Sequence, residues 1–119
     1  MKSFTSIEQS KKLSEILSKE SADMFYLKIP NSSSVGYNYS DLPYFATLGM
    51  KDNLPAWSLA SLLKIINKDF YTDLYHDGET WTVDVQHHDN EEMNDFVYAD
   101  EPIDACVEMI VKLNEKGIL

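Results

Sequence analysis

The sequence predicts an α+β fold, a mostly antiparallel sheet with helices packed on one face, and three observations predict it. Apolar residues recur at helical spacing in the first, middle and last parts of the chain. Two alternating segments flank Asp77-Gly78, a dipeptide that favours a hairpin. A second turn at Asp89-Asn90 then extends the hairpin into a three-strand meander, Phe70–Ala99, joined by one or two N-terminal strands.

The first helix is expected over Ser6–Ser18. Thr5-Ser6-Ile7-Glu8 matches a capping box, and Phe4 is placed to staple the first turn. Leu13, Ile16 and Leu17 supply its apolar stripe. Met24–Ile29 is rich in strand formers and ends at Pro30. Residues 30–54 are broken up by Ser, Asn, Gly and Pro, with Tyr37, Tyr39, Tyr44 and Phe45 between the breakers and a short strand expected at Tyr44–Leu48. The second helix is expected from Pro55 to Asn67, with Leu59, Leu62, Leu63 and Ile66 on one face. Trp57 falls about 160° from Leu59 at 100° per residue, either as a cover over the preceding loop or as an exposed aromatic anchor.

A two-residue turn at Asp77-Gly78 pairs Leu74 with Trp81, Thr72 with Val83 and Phe70 with Val85, which puts every apolar partner on one face. Tyr71, Asp73, Tyr75 and Asp84 take the other, wet face. With two or four residues in the second turn, Phe96 and Tyr98 join the face of Val83 and Trp81, and Asp95 and Val97 point away. The last helix starts near Pro102 and stops before Gly117, with Ile103, Cys106, Val107, Ile110 and Leu113 as its stripe.

Charge divides the chain. Residues 1–68 carry a net +2 and residues 69–119 a net −12, giving −10 over 119 residues. Because the acids lie within expected strands and a helix, they form a solvated face of a folded domain, available as an acidic docking surface or a mimic of nucleic acid. All ten cations are Lys. Without Arg, the usual bidentate ligand of phosphate and guanine, and with this charge, direct nucleic-acid binding is not expected. A single domain over 1–119 is expected from the length. No apolar run approaches the ~18–20 residues of a membrane span, so no membrane partner is expected. The N-terminal residues show no secretory h-region, and the single Cys106 excludes an internal disulfide, so a reducing, cytoplasmic setting is expected.

No motif for known chemistry is present: the glycines at 36, 49, 78 and 117 are scattered, and neither Gly-x-Ser-x-Gly nor His-Glu-x-x-His occurs. His87-His88-Asp89 with Glu91 and Glu92 is the best candidate for a metal site or a hydrolase centre. Adjacent strand residues point to opposite faces, however, so His87 and His88 do not readily share one ion. Cys106 sits in an apolar stripe and suits packing. No cofactor, no metal and no catalytic residue is assigned.

Phe4-Thr5-Ser6-Ile7-Glu8-Gln9-Ser10-Lys11, Pro55-Ala56-Trp57-Ser58-Leu59-Ala60-Ser61-Leu62-Leu63, Asp77-Gly78 with Trp81, and Tyr98-Ala99-Asp100-Glu101-Pro102-Ile103-Asp104-Ala105 resemble a family of small uncharacterised proteins from bacterial prophages and integrative elements. The resemblance implies an α+β fold and a mobile-element setting, with no functional residues to carry over. The expected function is non-enzymatic binding of a protein partner through the acidic sheet face or the loop Ser32–Phe45. Tyr37, Tyr39, Tyr44 and Trp57 are the expected binding residues, because tyrosines on adaptable backbone make economical contact surfaces.

Overall fold

Helix α1 spans Ile7–Ser14 in the computed structural model, which describes residues 1–31, 36–46 and 52–119. The capping box is there, one residue later than the sequence suggests. Ser6 is the cap: its Oγ accepts from Gln9 N at 3.1 Å, and the Gln9 side chain accepts from Ser6 N at 3.0 Å. Thr5 is instead fully buried, its Oγ1 2.8 Å from Ser10 Oγ and accepting from Trp57 N at 3.0 Å. The helix also ends earlier than Ser18, and Ile16 and Leu17 pack on the core from the turn that follows.

The expected strand Met24–Ile29 divides in two. β1 (Met24–Tyr26) is the centre of a three-stranded antiparallel sheet, between β4 (Tyr44–Phe45) and β5 (Leu54–Ala56). β2 (Lys28–Pro30) pairs with β3 (Tyr37–Tyr39) as a separate ribbon. The N-terminal strands therefore build sheets of their own and do not extend the meander. Of the strand expected at Tyr44–Leu48, only the first two residues form β4; Thr47 and Leu48 lie outside the described residues, as do Ser32–Val35 of the expected loop.

Helix α2 covers Leu59–Asn67, four residues later than a start at Pro55. Pro55 sits in β5 opposite Phe25, at a sheet edge, where its missing N–H is tolerated. The cap is Ser58, whose Oγ accepts from Ser61 N. Asp23 secures it from 35 residues away: its Oδ1 accepts from Ser58 N at 2.9 Å and its Oδ2 accepts from Ser58 Oγ.

β6 (Phe70–His76), β7 (Trp81–His87) and β8 (Asp95–Ala99) form the expected antiparallel meander. Its first turn has four residues, not two. Asp77 Oδ1 accepts from Glu79 N at 2.9 Å and Thr80 N at 2.8 Å, so a side chain holds the turn open. Leu74 therefore faces Val83 and Thr72 faces Val85, a shift of two residues that preserves both faces.

The second turn reverses an expectation. Val83 pairs with Val97 and Val85 with Asp95, leaving residues 86–94, an odd number, between the last paired positions. His87 Nδ1 accepts from Asp89 N and Asn90 N, and Asn90 Oδ1 accepts from Glu92 N at the start of a 3₁₀ turn, Glu91–Met93. An odd connection inverts the parity of β8. Val97 is buried on the core side, and Phe96 and Tyr98 are exposed on the other.

Helix α3 (Pro102–Glu115) packs on β7, β8 and α2. It ends in a Schellman motif: Ile118 N donates to Leu113 O, Gly117 N donates to Asn114 O, and Gly117 has φ 77°. Leu13, Trp57, Leu62, Ile66, Phe70, Val83, Val85, Ile103, Ile110 and Leu113 are buried in one core between the helices and the inner sheet face. Each such aliphatic side chain contributes about 1.5–3 kcal/mol. A smaller cluster, Met24, Tyr26, Leu54 and Ala56, lies under the N-terminal sheet.

Asp95, on the inner side of β8, receives Lys112 Nζ at 2.9 Å and Lys116 Nζ at 2.5 Å from the last turns of α3. Its partial burial pushes the carboxyl up, but hydrogen bonds from Lys116 and Lys112 outweigh this and hold it at about 2. The folded value lies below the ordinary ~3.9, so its stabilisation is complete above about pH 4 and is lost as pH falls through the folded value. Asp95→Asn should therefore cost about 1–2 kcal/mol at neutral pH, after discounting for solvent screening of the exposed ammonium groups. Melting curves of the two proteins should converge near pH 2, and a constant gap from neutral to acid pH would contradict this account.

Candidate functional site

The structure does not bring the four expected binding residues together. Tyr37 and Tyr39 lie on one face of β3 with rings 5.3 Å apart, edge to face. Lys28 Nζ stands 3.9 Å from the Tyr37 ring centre, and Lys11 Nζ 5.6 Å from that of Tyr39. A hydrogen bond with Tyr39 and then the Lys28 charge lower the Tyr37 phenol from its ordinary value. Tyr44 stacks on Phe25 at the edge of the other N-terminal sheet. Tyr37 and Tyr39 are in a paired strand, not in an irregular loop, which corrects the expectation for that stretch, whereas Tyr44 opens the short strand expected there.

Trp57 is 0% exposed, and its Nε1 donates to Ser21 Oγ at 3.0 Å. It precedes α2, so helical phase does not decide its direction. It is a core residue and presents nothing to a partner. Tyr37→Ala, by contrast, should cost under about 1 kcal/mol, as for other exposed positions. A melting shift equivalent to about 3 kcal/mol or more would instead make this tyrosine part of the packed structure.

The histidines are separated as strand geometry requires. His87 meets Phe70, with ring centres 5.1 Å apart, and His88 meets Tyr71 on the opposite side at 4.4 Å. Among the described residues no group of three or more His, Cys, Asp or Glu is placed to hold a metal ion. Cys106 is fully buried, and desolvation pushes its thiol up to about 12, which keeps it protonated and unreactive at neutral pH. Among the described residues no helix is long and apolar enough to cross a membrane.

A concavity of about 950 Å³ is an open groove walled by Leu17, Ala60, Leu63 and Leu119. All of its described lining except Leu119 comes from residues 17–68, with Glu20, Lys64 and Lys68 as charged side chains. No convergent set of polar groups gives it a chemistry.

The outer face of the meander has a more definite composition. Tyr71, Tyr75, Phe96 and Tyr98 stand on it, 67%, 48%, 59% and 64% exposed. Register arranges them in rows across the strands. Tyr75, Thr82 and Tyr98 form one row, and Asp73, Asp84 and Phe96 form the next. Tyr71 lies opposite Gln86 beyond them. The helices contact the inner side through α2 on β6 and α3 on β7 and β8, so the core accounts for Val83, Val85 and Val97 but not for these aromatics.

Sequence reasoning places Tyr71, Asp73, Tyr75 and Asp84 on this face and misses Phe96 and Tyr98. The segment Asp95-Phe96-Val97-Tyr98-Ala99 alternates large and small apolar side chains. Its polarity therefore does not say which set is inside. The informative signal is Asp95 itself, whose inward position is set by Lys112 and Lys116. No protein-family model, no curated protein and no solved structure matches this chain.

Proposed function

We propose that this protein is a non-enzymatic interaction module that docks another protein on the outer face of β6–β7–β8. One observation carries the proposal: four aromatic side chains, each about half or more exposed, share one sheet face while the helices occupy the other. Tyr is enriched among residues that dominate binding energy, because its ring buries a large area with few rotatable bonds. A soluble sheet face with no such task is ordinarily polar. The resemblance of the helix openings and the hairpin to prophage and integrative-element proteins makes a host protein the natural partner, which this chain would modulate or inhibit in the cytoplasm.

A photo-reactive amino acid placed at position 98 tests the proposal in cells. It should crosslink to a protein, whereas the same group at the exposed position 12 of α1 should not. No adduct from position 98, or equal adducts from both positions, would count against docking on this face.

A further inference from the structure

We propose that the segment docking on this face is cationic, with one Lys or Arg side chain of the partner lying over Thr82 between Tyr75 and Tyr98, its charge against Asp84 and Asp73. This assignment rests on the docking role proposed above and names the chemistry of its partner.

The register defines the slot. Thr82 pairs with Tyr75 on one side and Tyr98 on the other. Neighbouring strands lie about 4.8 Å apart, so the two tyrosine backbones stand roughly 10 Å apart across it. A flat guanidinium or an extended alkyl chain between two rings needs about 7 Å, two contacts of roughly 3.5 Å. Thr82 is 7% exposed, so the side chains around it close in to a nearly sealed floor, on which a partner's chain would rest between the two exposed tyrosines. Aromatic walls of this kind favour a cation over a neutral group through the ring quadrupole.

The carboxylates close one end. Asp84 follows Thr82 by two residues on the same face, and Asp73 is its cross-strand partner. Two residues of strand advance about 6.6 Å, within reach of a Lys or Arg head group lying over Thr82. Like charges directly opposite destabilise a sheet. Among the described residues nothing offsets this pair, because the salt bridges involve Asp95 and Asp104 only. The chain has no Lys between Lys68 and Lys112, and Lys112 and Lys116 are engaged by Asp95. With no cation of the described residues on this pair, a partner's Lys or Arg would offset it.

Charge also excludes the other occupants. A second copy docking face to face would bring its own Asp73 and Asp84 against this pair. Duplex nucleic acid and anionic lipid headgroups carry the same sign as the face.

A synthetic decapeptide of alternating Lys and Ala, and its Nε-acetylated counterpart, probe the slot by amide-shift titration of the isotope-labelled full chain at low salt. The charged peptide should move the amides of Tyr75, Thr82, Asp84 and Tyr98, and acetylation should weaken binding at least about tenfold, the loss expected when the charge-dependent contacts go. Tyr98→Ser and Asp84→Asn should each weaken the charged peptide about fivefold or more, with Tyr75→Ser replacing Tyr98→Ser should that variant not fold. Glu115→Gln, the same loss of charge on α3, should change affinity less than about twofold, since an exposed charge acts weakly at a distance. Equal binding of the acetylated peptide, shifts spread over the acidic surface, or equal effects of Glu115→Gln and Asp84→Asn would overturn the assignment. Crosslinking from position 98 without peptide binding would keep the docking face and reject the cationic occupant. Absence of both would reject the face itself.

Discussion

Val83→Asp is expected to abolish cooperative folding. Val83 is 0% exposed and lies on the central strand of the meander, paired with Leu74 on one side and Val97 on the other. Ile103, Cys106, Val107 and Ile110 of α3 belong to the same core. A carboxylate there has no partner, so the chain must either bury a charge or protonate it, at a cost of several kcal/mol. Domains of this size are stable by only about 5–15 kcal/mol, and the valine contacts are lost as well. Thermal unfolding followed by circular dichroism should show no sharp transition for the variant. A melting curve like that of the wild type would mean that Val83 faces solvent and that the assignment of the two sheet faces is reversed. Tyr71→Asp, at a position 67% exposed on the outer face, should be tolerated far better, because its charge stays in water.

The second large effect is expected at Trp57. Its ring is wholly enclosed, its backbone N–H donates to Thr5 Oγ1, and its indole N–H donates to Ser21 Oγ. It thus ties the segment before α2 to residues on either side of α1. Trp57→Ala should cost about 3–5 kcal/mol, the range for emptied large aromatic sites. In a domain of this length that corresponds to a drop in Tm of more than about 10 °C. Trp57→Phe should recover much of the loss, because it refills most of the site and lacks only part of the indole ring and the bond to Ser21. A loss below about 1 kcal/mol for the alanine variant would place Trp57 at the surface and return it to the candidate binding residues. The same measurement on a variant of Phe96 or Tyr98 should show little change, since the inner core does not use those rings.

Local patterns already determined much of this protein. The stripes Leu62–Ile66 and Ile103–Cys106–Val107–Ile110–Leu113 have the 3.6-residue period, and one helix face can bury them only against a common core. Strict alternation over Phe70–His76 and Trp81–His87 assigned two faces that survive a register shift of two, because strand side chains repeat with period two. The acidic, tyrosine-bearing side of β6 and β7 was legible for the same reason. Tertiary structure decided what local patterns left open. α2 starts after the cap Ser58, not at Pro55, because Asp23, distant in the chain, binds Ser58. Met24–Ile29 splits because β1 and β2 find different partners, a choice that no strand propensity encodes. Most consequential for function is β8. Apart from Asp95, whose charge taken alone argues for the opposite orientation, both of its faces are apolar, so its sequence does not reveal which one is inside. The side-chain hydrogen bonds of the 86–94 turn make the connection odd, and the two lysines of α3 draw Asp95 inward. Those two contacts turn Phe96 and Tyr98 outward and complete the aromatic face.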